Sequence, residues 1–178
     1  MMLRLCQGLA SRVRGFIFRR RGVQIAGKCW LRAVEMPRHH RGIQLADGVA
    51  LDRGVTLLAT RDGARIEIGR NTYLNRQTMI DADTLVEIGE EVMIGPFCYL
   101  TDHDHTFAAG QAPGAGPLVS EPTRIEARCW LGAHVTVLKG VTIGAGTVVG
   151  AGSVVTKSLP AGVIAVGNPA RVLRPISS

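Results

Sequence analysis

Aliphatic side chains recur every six residues along most of this chain. From Ile125 the sequence divides into IEARCW, LGAHVT, VLKGVT, IGAGTV, VGAGSV and VTKSLP, each opened by an aliphatic residue: Ile125, Leu131, Val137, Ile143, Val149 and Val155. The same beat sounds earlier at Leu45, Leu51 and Leu57, at Ile68, Leu74 and Ile80, and at Ile88, Ile94 and Leu100. A fixed short period of this kind predicts stacked repeats, each unable to bury its apolar face alone. Three six-residue segments then make one coil of a triangular parallel β-helix. The aliphatics point into the prism, and the coils stack at about the 4.8 Å spacing of paired strands. The small or β-branched residues Thr72, Val92, Val135, Thr147 and Ser153 fall two before an aliphatic, where a corner is crowded. Glycine follows the aliphatic at 69, 89, 95, 132, 144 and 150, which predicts turns needing backbone freedom and no side chain. A β-sandwich alternates at period two with strands 8–12 residues apart, so the fold class is all-β, a hexapeptide-repeat solenoid.

The beat breaks once on a large scale. Leu100 and Ile125 are 25 residues apart, so a Gly-, Ala- and Pro-rich stretch near 104–122 is expected to leave the prism as a loop. Long structureless loops in compact domains are usually functional lids or disordered segments. This one starts right after Thr101-Asp102-His103-Asp104-His105, a cluster of groups suited to proton transfer.

Composition adds a division of the chain. Of the formal net charge of +7, residues 1–41 hold ten Lys or Arg against Glu35 alone, and residues 42–178 hold eleven against thirteen acids. Residues 1–41 therefore read as a basic, partly helical N-terminal segment, and 42–178 as the β-helix domain with a C-terminal cap. A slightly acidic body with 4% aromatics argues against nucleic-acid binding, which needs a basic face or a stacking platform. Leu5, Leu9, Val13, Phe16 and Ile17 recur at helical spacing among arginines, the composition of an interfacial helix. Residues 1–22 are accordingly a candidate for peripheral membrane contact, the alternative being that this stripe packs on the β-helix. Cys6, Cys29, Cys98 and Cys129 show no metal-site spacing and read as reduced thiols, mostly buried. No apolar run reaches 18 residues, and Arg12 and Arg14 interrupt what would be a signal-peptide core. The expected location is the cytoplasm, with the inner membrane surface as an option.

The hexapeptide beat, the loop after TDHDH and the closing VVTKSLPAGVIAVGNPARVLR resemble the hexapeptide-repeat acyltransferases, above all the galactoside and maltose acetyltransferases and the O-acetyltransferases of bacterial surface polysaccharides. The resemblance covers about residues 43–176. It implies a left-handed coil, against the usual hand of parallel crossovers, a homotrimer with sites between subunits, acetyl-CoA as co-substrate, a saccharide acceptor and no metal. It assigns His103 as the base that deprotonates the acceptor hydroxyl, a role suited to imidazole near neutral pH. Asn75 corresponds to an asparagine that holds the sugar or orients the histidine; a corner Asn with left-handed backbone is the plain alternative. Asp102 would orient the imidazole or bind a sugar hydroxyl. On the coenzyme side the resemblance points to Trp130 as a wall for pantetheine, to the Ala133 amide as a donor near the thioester oxygen, and to Gly132 and Ala151 as small corner residues. Thr156, Lys157, Arg171 and Arg174 would face the phosphates.

Three alternatives share the scaffold. His103, His105 and His134 would be the ligands of a zinc carbonic-anhydrase type. A small-molecule or antibiotic acetyltransferase would keep the chemistry and change the acceptor. A non-catalytic solenoid would only bind partners. His105 competes with His103 for the role of base.

Overall fold

The protein is described from a computed structural model that covers residues 2–112 and 114–176, with side chains from Gly8 onward. Leu5 and Cys6 therefore lie outside the described side chains. A helix, α1 (Met2–Arg21), is followed by short strands that coil into three parallel sheets. The first face runs from Gln24–Ile25 to Thr142–Ile143, the second from Trp30–Leu31 to Val148–Val149, and the third from Thr56–Ala59 to Val154–Val155. Consecutive coils pair in parallel with the aliphatics in register: Ile68 on Ile88, Ile94 on Leu131, Leu100 on Val137. All fifteen beat residues are buried and share one apolar cluster. The fold is an all-β parallel solenoid, as the period requires.

Two expectations need correcting. The solenoid starts inside the segment read as an N-terminal appendage. Gln24–Ile25 pairs with Ile43–Leu45, and Trp30–Leu31 with Ala50–Leu51, so a first coil precedes residue 42. Its third side is a single bridge, Glu35 to Thr56, too short to continue the six-residue beat. Of the two reasons expected for the glycines after the aliphatics, the absence of a side chain holds and the backbone freedom does not. Gly132 lacks left-handed backbone, and a Cβ there would meet the Ala151 nitrogen at 2.6 Å. These glycines let one coil's corner rest on the next. The left-handed residues fall two positions later, at Asn71, Gln77, Glu91, Phe97, Arg128 and His134, where Asn is tolerated and the others are strained.

The corner between the third and first faces absorbs all the irregularity of the central coils. From Leu57 to Ile68, Ile80 to Ile88 and Leu100 to Ile125 the step exceeds six, while the other two corners stay regular. The longest insertion is a hairpin in which His103–His105 pairs antiparallel with Leu118–Ser120. The extruded stretch is thus partly ordered, its neck closed by the Glu121 amide donating to the Asp102 carbonyl at 2.8 Å. At the far end Val163–Gly167 joins the second face and Ala170–Pro175 folds back on it, capping the stack.

Candidate active site

Asp102 sits where the chain leaves the prism, and it is fully buried. Its carboxylate accepts the amides of Asp83 at 2.7 Å, Thr84 at 2.7 Å and Leu85 at 2.6 Å, together with the Thr84 hydroxyl at 2.8 Å. The turn below, which also carries an insertion, presents these donors because its pairing toward the next coil begins only at Val86 with Thr123. The same carboxylate lies 3.0 Å from His103 Nδ1. Burial works to raise the Asp102 carboxyl, and these hydrogen bonds outweigh it, holding the group below the usual carboxylate range. The Asp102 oxygens are thus consumed inside the chain, by these donors and by the contact with His103.

His103 lies between two carboxylates. Its Nε2 is 4.0 Å from Asp81 Oδ2, and its side chain is 9% exposed. Tyr99 donates its hydroxyl to Asp81 Oδ2 at 3.3 Å, while Asp81 Oδ1 is buried without a hydrogen-bond partner among the described residues. Burial pushes the Asp81 carboxyl up, against the pull of His103 and the Tyr99 hydroxyl. A third aspartate, Asp83, ties the neighbouring insertions together. It accepts from Thr60 at 2.9 Å, Arg61 at 3.0 Å and Ser120 at 2.6 Å, which fixes the hairpin base. His105, two residues along the hairpin strand, is exposed.

The edge between the second and third faces differs in kind. Its corner column holds Asn75, Gly95, Gly132 and Gly150, each just after a buried aliphatic. The Arg53 and Arg76 amides there are taken by the side chains before them, Asp52 at 2.7 Å and Asn75 at 2.8 Å. Asn75 is therefore a turn cap and not a left-handed corner. Where glycine precedes, no side chain caps the amide. The Ala133 and Ala151 N–H groups have no acceptor among the described residues. Beside them Trp130 stands half exposed on the second face. The register runs Trp130, Val148, Ile164, Arg174 across successive strands, so Arg174 lies about 14 Å from Trp130 at strand spacing. Arg171 is on the same closing strand.

One chain does not unite all the expected residues. Thr156 and Lys157 follow Val154–Val155, at the opposite edge of the third face from Gly132, Ala133 and Ala151. Asn75 precedes that face and His103 leaves it, so a strand's length separates them. His134, stacked on Phe97 with ring centroids 5.0 Å apart, is on the Asn75 edge, away from His103 and His105. Among the described residues no group of three His, Cys, Asp or Glu is placed to hold a metal ion. Cys98 and Cys129 are buried corner residues, and burial raises both thiols. A groove of about 620 Å³ lies along the remaining edge, lined by Gln24, Gln44, Glu67 and Glu87 among others, apart from both candidate clusters. The signal for Asp81 and Asp83, which sequence reasoning passed over, was their position at a corner that breaks the period.

Residues 122–157 match the family described as bacterial transferase hexapeptide (six repeats). The chain is 42% identical over 115 residues to the galactoside O-acetyltransferase of Escherichia coli K12, covering 65% of this chain and 56% of that protein. It is 36% identical over 112 residues to the putative lipopolysaccharide biosynthesis O-acetyl transferase WbbJ of the same organism, covering 58% and 57%. A structure of galactoside acetyltransferase in complex with coenzyme A superposes with a TM-score of 0.66 at 29% identity, over 92% of this chain and 70% of that one. The chain is a hexapeptide-repeat protein, coiled as the hexapeptide acetyltransferases are. Its solenoid matches the left-handed β-helix fold. The chain spans a little over half the length of these two sequence relatives.

Proposed function

We propose that the protein is an acetyl-CoA-dependent O-acetyltransferase whose acceptor is a saccharide hydroxyl. The reading is supported by a relative that is a galactoside O-acetyltransferase. The observation that carries it is the edge where the Ala133 and Ala151 amides lack an acceptor among the described residues, on the coil that carries the half-exposed Trp130 and on the next. Trp130 walls the pantetheine arm, Gly132 and Ala151 let that arm approach the backbone, and Arg171 and Arg174 lie farther along for the phosphates. Ala133 N–H donates to the thioester oxygen, where negative charge develops. The acceptor oxygen attacks the acetyl carbon as a base takes its proton, the C–S bond breaks, and the proton passes to the departing thiolate. The products are the O-acetyl sugar and coenzyme A, with no covalent enzyme intermediate.

His103 is the proposed base, oriented through Nδ1 by Asp102. A second reading is favoured by one observation: His105 is exposed, whereas His103 is nearly enclosed. Residues two apart on a strand face the same side, so either imidazole serves the same space. Because Asn75 and His103 stand at opposite ends of one face, a site using both is completed by a neighbouring subunit of a homotrimer. Thr156 and Lys157 then meet the coenzyme from that second chain. His103→Ala and His105→Ala, assayed by thiol release from acetyl-CoA with candidate glycans, test the scheme. The base is the residue whose loss lowers turnover about 10²–10⁴-fold while coenzyme binding by calorimetry stays near wild type. If neither substitution does so, the mechanism is wrong. If the unaltered protein does not bind acetyl-CoA, the function is wrong.

A further inference from the structure

The helix α1 packs on the solenoid with the face the hydrophobic pattern does not pick out. Ser11 accepts the Leu31 amide at 2.8 Å and donates to the Cys29 carbonyl at 3.3 Å. Arg14 donates to the Leu31 carbonyl at 3.0 Å, and Arg19 to the Gly27 carbonyl at 2.9 Å. Phe18 enters the core cluster, and Gly8 faces the Trp30 ring. Small and polar residues with one phenylalanine thus close the open end of the prism. At about 3.6 residues per turn, the opposite side of the helix carries Leu9, Val13, Phe16 and Ile17. These are 66%, 51%, 59% and 41% exposed. Four large apolar side chains on one unpartnered stripe need an occupant.

The charges around the stripe say which. The sequence of α1 holds six arginines and no acid. Arg12, Arg20 and Arg21 are exposed, and the Arg20 guanidinium lies 5.3 Å from the centre of the Phe16 ring. A second copy of the same stripe would bring arginines against arginines with no acid on the helix to pair them. An anionic lipid surface meets both needs, taking the apolar side chains below the headgroups and the guanidinium groups among the phosphates. No helix among the described residues is long and apolar enough to cross a membrane, which leaves α1 lying in the interface. We infer that α1 is a membrane-surface anchor: inner face fastened to the solenoid end, outer stripe seated in anionic lipid. The inference is independent of the reaction proposed above.

Co-sedimentation of the full-length protein with vesicles tests it. The protein should pellet with phosphatidylcholine vesicles containing one-third phosphatidylglycerol, release as salt is raised, and stay in solution with phosphatidylcholine alone. The combined variant Leu9→Gln, Val13→Gln, Phe16→Gln, Ile17→Gln should lower partitioning by about tenfold or more, with circular dichroism, melting temperature and oligomeric mass unchanged. It spares Ser11, Gly15 and Phe18, so the packed face is intact. A second variant, Arg12→Gln, Arg20→Gln, Arg21→Gln, should keep the fold and lose the salt-sensitive part of binding. Failure of the unaltered protein to pellet would overturn the inference, as would equal pelleting of the stripe variant. A change of oligomeric mass in the stripe variant without vesicles would also overturn it, by making the stripe a subunit contact.

Discussion

Asp81 and Asp102 flank the same imidazole and should answer substitution with losses of very different size. Asp102 is held by three amides, a hydroxyl and His103, so Asp102→Asn sets an amide group against donors and should cost about 3 kcal/mol in urea unfolding at pH 7. Its carboxyl titrates below the ordinary range in the folded state. The stability it supplies is complete above the unfolded value near 3.9 and disappears as pH falls through the depressed one, so wild type and variant should converge in acid. Asp81 is raised by burial. Its ionisation works against folding as pH rises, and Asp81→Asn should cost less than about 1 kcal/mol at pH 7. Equal losses for the two variants would refute this division. Gly132→Ala puts a Cβ against the Ala151 nitrogen at 2.6 Å and should cost about 1–3 kcal/mol. Position 152, left-handed and with nothing near a Cβ, should suffer from its backbone strain alone. The glycine pattern was visible in the sequence, but the close approach behind it depends on a coil 16 or more residues away.

Each short strand is marginal alone and is held by those above and below, so damage should spread along the stack. Leu131→Ala removes a fully buried side chain packed between coils and should cost about 2–5 kcal/mol, measured by chemical unfolding. The closing hairpin covers the last parallel strand of the second face. Removing residues from 163 onward would leave the Val148–Val149 edge unpaired, and the shortened protein should aggregate in light scattering while the full chain stays monodisperse. The α1 stripe shows how a helix can be legible and its orientation not. Leu9, Val13, Phe16 and Ile17 were predicted to share a face, and they do. The choice of Gly8, Ser11 and Phe18 as the inward face rests on the Leu31 amide and the Cys29 carbonyl at the prism's open end, groups that no helical period contains.

At the scale of the molecule, the separation of Asn75 from His103 across the third face makes an assembly-dependent site testable. Co-expressed Asn75→Ala and His103→Ala chains, each inactive alone, should regenerate about a quarter of wild-type turnover if every site draws one residue from each of two subunits. No recovery would place both residues' roles within one chain or remove one of them from the site. The coil was legible because its period is local: an aliphatic every six residues, a small residue before it, a glycine after it. Those positions settled the three faces, the filled prism and the corner from which the 104–122 insertion leaves. The first coil around Ile25 and Leu31 escaped the pattern because its third side is one bridge. What folding alone decided is how the insertions meet. Asp102 turns inward to three amides of the preceding coil, Asp81 and Asp83 converge from another insertion, and the Ala133 and Ala151 amides are left without acceptors among the described residues on the far edge. Such contacts join residues about 20 positions apart through coil stacking, and a six-residue period holds no record of which side chain faces which across that distance.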